Sequence, residues 1–379
     1  MKNGKLKSTT KEVKKYKMVK ENTMYRIIAL RDFGIVKKGD NGGLVQNESN
    51  LSHDGNCWIY YNATVRDNAM VLDNAIVGGY SRVVGDSQVF DNAFVRDDAI
   101  ICDDARIGGN AIIEGNAQVF DNALVEGEAI IRGKGIVRGN AQLRGNALVE
   151  DNAVVRGNAQ VFGDAVVRDD AIIRGNAQVR GNAVIRCNAE VLGESIIEDS
   201  ALIWENAKVF ENAKVRDNAC ISGHARVHGY ANISDHALVC YNAEVEDNAV
   251  VRGDSVIKGV AKVYDNAIVE GRASISGYAI VRGNARVRGD SRVEGNAILE
   301  GKALIDGDAR VLHDIHTNKV QYIKGTEYTA TVDGEYININ NTSARPEDWP
   351  IILDKWDIPI RQKVEYRGII LCLKNTYMS

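Results

Sequence analysis

From residue 57 to residue 312 the chain repeats one short pattern of small, apolar and polar positions. Stepping by six from Ala63 to Ala309 gives 42 positions, of which 36 are Ala, five are Ser (Ser81, Ser87, Ser195, Ser255, Ser291) and one is Gly135. Two residues further on, from Val65 to Val311, all 42 are Val, Ile or Leu. The position before the small residue is mostly Asn or Asp, and the one before that mostly Gly or Asp, as in Arg156-Gly157-Asn158-Ala159-Gln160-Val161. Each hexad therefore predicts a short strand and a corner. β-branched residues suit a pleated strand, and Gly, Asn and Asp tolerate the positive φ that a tight corner needs.

A period of six fits either a coil winding around an axis or a meander of very short hairpins. A second period decides. Every third outward residue from Ile76 is apolar: Ile76, Phe94, Ile112, Ile130, Leu148, Val166, Val184, Leu202, Cys220, Leu238 and Val256. The two neighbouring outward series, starting at Arg82 and Gln88, are mostly polar. Charges alternate at the same spacing of eighteen, in Arg96, Glu114, Arg132, Glu150 and Arg168, in Arg180, Glu198 and Arg216, and in Arg252, Glu270, Arg288 and Asp306. Parallel strands stacked about 4.8 Å apart set each of these beside its opposite charge, which hairpins do not. The expected fold is all-β, a three-sided parallel β-helix of about fourteen coils.

The Gly-Asn-Ala units resemble the bacterial hexapeptide-repeat family. The opening Tyr25-Arg26-Ile27, with Gly39-Asp40-Asn41-Gly42-Gly43 and Asn56-Cys57-Trp58-Ile59, is similar in style to YdcK-like bacterial and phage-borne members. That resemblance implies a left-handed coil and frequent trimers. It also implies an acyltransferase reading, with an acyl-CoA donor and a histidine base in a cleft between subunits. Such enzymes often extrude a loop from the coils, whereas residues 57–312 run without one inserted residue.

The ends depart from the repeat. Residues 1–23 are expected to be a basic tail, since the first twenty hold eight Lys and one Glu. Lacking interleaved aromatics, this tail is expected to lie on its own acidic rod or stay disordered in solvent, before any nucleic-acid or anionic-membrane contact. Residues 24–56 read as an N-terminal cap with a strand at 25–30 and a glycine-rich loop, and 57–312 as the coils. Residues 313–379 read as a small β-rich module, with a hairpin turning at Asp333-Gly334 and further strands at Val364 to Leu373. The six cysteines follow no metal or disulfide spacing. With no run of 18 apolar residues and no apolar leader, a cytoplasmic chain without a membrane span is expected.

Chemistry is sparse. The only histidines within the coils are His224, His228 and His236, with Glu246 eighteen residues after His228. They are the general-base candidates under the enzyme reading and ordinary corner residues otherwise. His53, His313 and His316 lie at the ends. No calcium-binding nonapeptide and no phosphate-cradling loop occurs, so no metal is expected, and no cofactor apart from acyl-CoA under the enzyme reading. Thr64 is the only threonine in the coils, against an ice-binding face, and Gln142, Gln160 and Gln178 read as an amide ladder. The eleven-residue apolar column is the expected interface, covered by another copy of the rod or else by a terminal segment of the same chain. It makes the leading reading a non-catalytic oligomeric scaffold, a dimer or trimer, presenting its surface to a macromolecular partner.

Overall fold

The computed structural model describes residues 14–311, 322–324, 329–333, 336–339 and 342–377. They fall into two compact units, 1–157 and 158–379. Among the described residues no helix is long and apolar enough to cross a membrane.

The coils are a parallel β-solenoid made of two-residue strands. In unit 1 Phe94-Val95 pairs in parallel with Ile76-Val77 before it and Ile112-Ile113 after it, always at an offset of eighteen. Backbone bonds follow the same step: Phe94 N–H donates to Ala111 O at 2.8 Å and Arg96 N–H to Ile113 O at 2.9 Å. Three faces result. The first carries Trp58–Ile59, Ile76–Val77 and their successors, the second Thr64–Val65 and Arg82–Val83, and the third Met70–Val71 and Gln88–Val89. The repeating Ala and Val, Ile or Leu positions all point inward and are fully buried. Side chains alternate across a strand, so the second residue of each pair fills the core and the first faces outward.

The corners explain the Gly and Asp alternation. Each corner places one residue at positive φ, such as Asp103 at 59°, Asp121 at 57° and Gly139 at 75°. Where that residue is Asp, its carboxylate accepts the N–H of the corner residue in the next coil: Asp121 N–H donates to Asp103 Oδ2 at 3.1 Å, and Gly139 N–H to Asp121 Oδ2 at 2.9 Å. Asn side chains form a second ladder, with Asn74 Nδ2 donating to Asn92 Oδ1 at 3.2 Å and Asn92 Nδ2 to Asn110 Oδ1 at 3.2 Å. In unit 2 Gln160 and Gln178 stand in register.

The N-terminal end of unit 1 is more ordered than a lysine-rich tail suggests. Strand β1 (Tyr16–Glu21) pairs antiparallel with β2 (Met24–Ala29), and β2 with β3 (Asn41–Val45). β3 then pairs in parallel with Thr64-Val65, and Leu51 bridges Val71, so strand pairing on the second and third faces begins before Cys57. Of the two readings for this tail, residues 14–23 follow the one in which it lies on its own rod: Lys15 and Tyr16 are buried, while residues 14, 17 and 19–23 are exposed. Lys15 is wholly buried, its Nζ donating to Asp54 O at 3.1 Å, Cys57 O at 3.0 Å and Cys57 Sγ at 3.1 Å. Tyr16 Oη donates to Glu48 O and Leu51 O at 2.9 and 2.8 Å. These two side chains satisfy carbonyls that an irregular loop leaves unpaired. Gly42 and Gly43 are strand residues, not a loop. A Cβ on Gly42 would lie 2.4 Å from Ile27 Cγ1 and 2.7 Å from Ile59 O, so only glycine lets β3 approach.

Within unit 2, Arg310–Val311 is the last described coil strand, and two strands of a four-stranded antiparallel sheet lie against it. The expected hairpin strands are present as Thr329–Asp333 and Tyr336–Ile339, but Asp333 pairs with Tyr336, so it belongs to the strand and not to the turn; residues 334–335 lie outside the described ones. Helices α1 (Trp349–Lys355) and α2 (Ile360–Tyr377) cover the sheet. The strands expected at Val364 to Leu373 are therefore helix. Tyr366, Ile369, Ile370 and Leu373 are buried at helical spacing, while Val364 and Leu371 face out. The apolar run was dense enough to satisfy either period, and packing under Trp349 selected the helical one.

Candidate functional sites: an apolar face and a histidine–carboxylate corner

The apolar column lies on the first face in each unit. In unit 1, Trp58, Ile76, Phe94, Ile112, Ile130 and Leu148 stack in parallel register. In unit 2 the series is Val166, Val184, Leu202, Cys220, Leu238 and Val256, ending in Ser274, Arg292 and Arg310. From Ile76 to Val256 the expected interface residues are half-buried, and none is fully exposed. Each side chain is flanked by those of the adjacent coils, about 4.8 Å away, so the column shields its own flanks and offers solvent a ridge of tips.

The large hydrophobic groups that do stand out in the coils lie mostly at the corner leading from the first face to the second: Tyr61 and Tyr80 in unit 1, and Tyr241, Val260 and Tyr278 in unit 2. Hexad statistics could not find them, because they occupy corner positions where Asn, Asp and Gly are usual. Ion pairs line the edges of the same face. Arg96 bonds Glu114 and Arg132 bonds Glu150 in unit 1, and Arg180 bonds Glu198, Arg252 bonds Glu270 and Arg288 bonds Asp306 in unit 2. The alternation at eighteen residues thus becomes contact between successive coils. At these exposures each pair stabilises by less than about 1 kcal/mol.

The three coil histidines do not converge. His224 sits on the corner from the first face to the second, His228 on that from the second to the third, and His236 on that from the third back to the first. A period of six sends residues four and twelve positions apart to different corners. His236 is exposed, with Nδ1 3.6 Å from Asp254 Oδ1. His224 lines an open pocket of about 400 Å³ with Arg174, Glu190, Leu192, Asn206, Lys208, Phe210 and Arg226. His53 belongs to the cap, stacked on Tyr16 at 4.4 Å with Nε2 3.0 Å from Glu48 Oε1. His313 and His316 lie outside the described residues.

His228 has the densest surroundings. Its ring stacks on Phe210 at 4.4 Å and 10°. Nε2 lies 3.2 Å from Glu244 Oε1 and 3.4 Å from Glu246 Oε2, and Nδ1 lies 3.8 Å from Glu211 Oε2. Lys262 Nζ donates to Glu244 Oε2 at 2.8 Å, and the Arg226 guanidinium is 3.7 Å from Glu244 Oε1. Burial pushes the Glu244 carboxyl up, but hydrogen bonds from Lys262 and His228 outweigh it and hold the group below the usual carboxylate range. Glu246 was legible at a spacing of eighteen. Glu244, sixteen residues on, reaches His228 diagonally and was not.

No family model matches the chain. Over 69 residues it is 39% identical to "Uncharacterized acetyltransferase YdcK" of Escherichia coli (strain K12), a stretch equal to 18% of this chain and 20% of that protein. The chain thus spans about a fifth of the length of the curated relative it matches. A parallel β-solenoid of hexads together with this partial match fits the hexapeptide-repeat family that the repeat led us to expect.

Proposed function

We propose that the chain is a non-catalytic scaffold that associates with copies of itself through the first face and presents its remaining surfaces to a macromolecular partner. The observation that carries this reading is the in-register apolar column, one residue per coil in each unit, bordered by exposed tyrosines and by ion pairs. Apolar tips in a row gain by being covered, at roughly 25 cal/mol per Å² removed from water. The edge charges set register and exclude wrong partners. The test is molar mass in solution by light scattering on a sizing column. A dimer or trimer is expected, and Ile130→Glu combined with Val166→Glu is expected to dissociate or precipitate it. Unchanged mass and solubility of the double variant would sink the reading.

A second reading, an acyltransferase using an acyl-CoA donor, draws support from the name of the relative and from the pocket beside His224. Three cations there, Arg174, Lys208 and Arg226, suit the phosphates of such a donor, and the exposed imidazole of His224 suits a general base. Thioester cleavage that is lost in His224→Ala favours this reading; its absence in the wild-type oligomer favours the scaffold.

A further inference from the structure

Among the described residues, one group of three potential metal-ligating side chains has all its donor atoms within 4.8 Å of one another: His228, Glu244 and Glu246. We propose that this corner of unit 2 binds one divalent transition-metal cation of the zinc type, through His228 Nε2, Glu244 Oε1 and Glu246 Oε2. This inference does not depend on the self-association reading, which is tested by molar mass.

Geometry is the first argument. Ligands at about 2.0–2.2 Å around a tetrahedral zinc are about 3.4 Å from each other. The separations from Nε2 to the two carboxylate oxygens, 3.2 and 3.4 Å, match two edges of that polyhedron. The strand and corner phases of two successive coils produce this placement: Glu246 follows His228 by one coil at the same corner, and Glu244 is the outward strand residue just before it.

The surroundings are the second. The ring plane of His228 is held against Phe210, so Nε2 stays aimed at the carboxylates. Its other nitrogen lies 3.8 Å from Glu211 Oε2, an oxygen that accepts the Gly229 N–H at 2.8 Å, so Glu211 adds negative charge beside the imidazole without a hydrogen bond to it. Lys262 donates to Oε2 of Glu244, while Oε1 faces His228 Nε2 with the Arg226 guanidinium 3.7 Å away. The corner aspartates differ from these ligands, because their carboxylates already accept N–H groups from the next coil.

Charge is the third. Three carboxylates (Glu211, Glu244, Glu246) against two cations (Lys262, Arg226) leave this set at −1 when the imidazole is neutral. A single imidazole with two carboxylates suits zinc, cobalt or nickel, whereas calcium and magnesium take six or more oxygens. Side-chain exposures of 14% for His228, 16% for Glu244 and 29% for Glu246 leave an entry path and a position for water. The competing occupant is a proton, which would make His228 an imidazolium shared between the two glutamates.

The experiment is calorimetric titration of Zn²⁺ into the full chain, freed of metal by chelation, at neutral pH. Co²⁺ in parallel supplies a visible spectrum. Expected are one ion per chain, the intense bands of four-coordinate cobalt, and at least about tenfold weaker binding in His228→Ala and in Glu246→Gln, which keeps the side-chain shape. Glu211→Gln, which removes one nearby negative charge, should weaken binding less than either ligand change, while His224→Ala and His236→Ala should leave it unchanged. Absence of saturable uptake by the folded wild type, or equal affinity in Glu246→Gln with native circular dichroism, overturns the site and leaves the shared proton.

Discussion

Replacing Asp121 by Asn, Gly and Ala separates the two reasons for an aspartate at this corner. The residue holds φ at 57°, and its Oδ2 accepts the N–H of Gly139 at 2.9 Å. Gly keeps the conformation and loses the carboxylate; at a solvent-exposed corner that bond stabilises by about 1 kcal/mol or less. Ala loses the same bond and adds the left-handed penalty of an L-residue, roughly 1–2 kcal/mol, for a total of about 2–3 kcal/mol. Asn keeps an acceptor and tolerates the left-handed region, so its cost stays near 0.5 kcal/mol. A solenoid unfolds in segments, which makes a single global midpoint a poor reporter. The better assay is hydrogen exchange of the Leu124 amide, which donates to Ala141 O at 2.9 Å and lies just past the corner. With about 1.4 kcal/mol per factor of ten, exchange should quicken about 30- to 140-fold for Ala, several-fold for Gly and about twofold for Asn. If Ala exchanges no faster than Gly, positive φ does not dictate the Gly and Asp alternation and the corner argument fails.

Lys15 gives the cap a pH dependence. Burial pulls its amine below the ordinary 10.5, so between that lowered value and 10.5 the folded state binds fewer protons than the unfolded one, and stability rises with pH. Burial pushes the Cys57 thiol above its ordinary 9.0, so above 9 the folded state keeps a proton that the unfolded state loses, and stability falls. In Lys15→Met the rising part should vanish and the fall remain, as read from denaturation midpoints across alkaline pH; a curve identical to wild type refutes the assignment. In the C-terminal module, Trp349 Nε1 donates to Ile337 O at 2.9 Å and Ala344 O at 3.1 Å in a buried setting. Trp349→Phe should therefore cost about 1–3 kcal/mol, seen as a lower melting temperature of the helical circular dichroism signal. A melt at the wild-type temperature would mean that water satisfies those carbonyls.

The hexads alone disclosed a parallel coil, because the same six residues recur and each contact recurs at eighteen. Inward and outward positions, the Arg96–Glu114 type of ion pair and the apolar column follow from that one offset. Local chemistry sufficed wherever a residue's partner is its own counterpart one coil away. Where partners are not counterparts, tertiary structure decided. Lys15 reads as tail until Asp54 and Cys57 present carbonyls to its amine. Residues 364–373 satisfy strand and helix periods equally until Trp349 and the sheet choose the face to bury. His228 becomes a candidate ligand only when the diagonal contact to Glu244, sixteen residues on, is added to the stacked contact with Glu246. Composition carries no record of such diagonal neighbours, because they depend on how side chains lean between columns and not on the repeat that builds the columns.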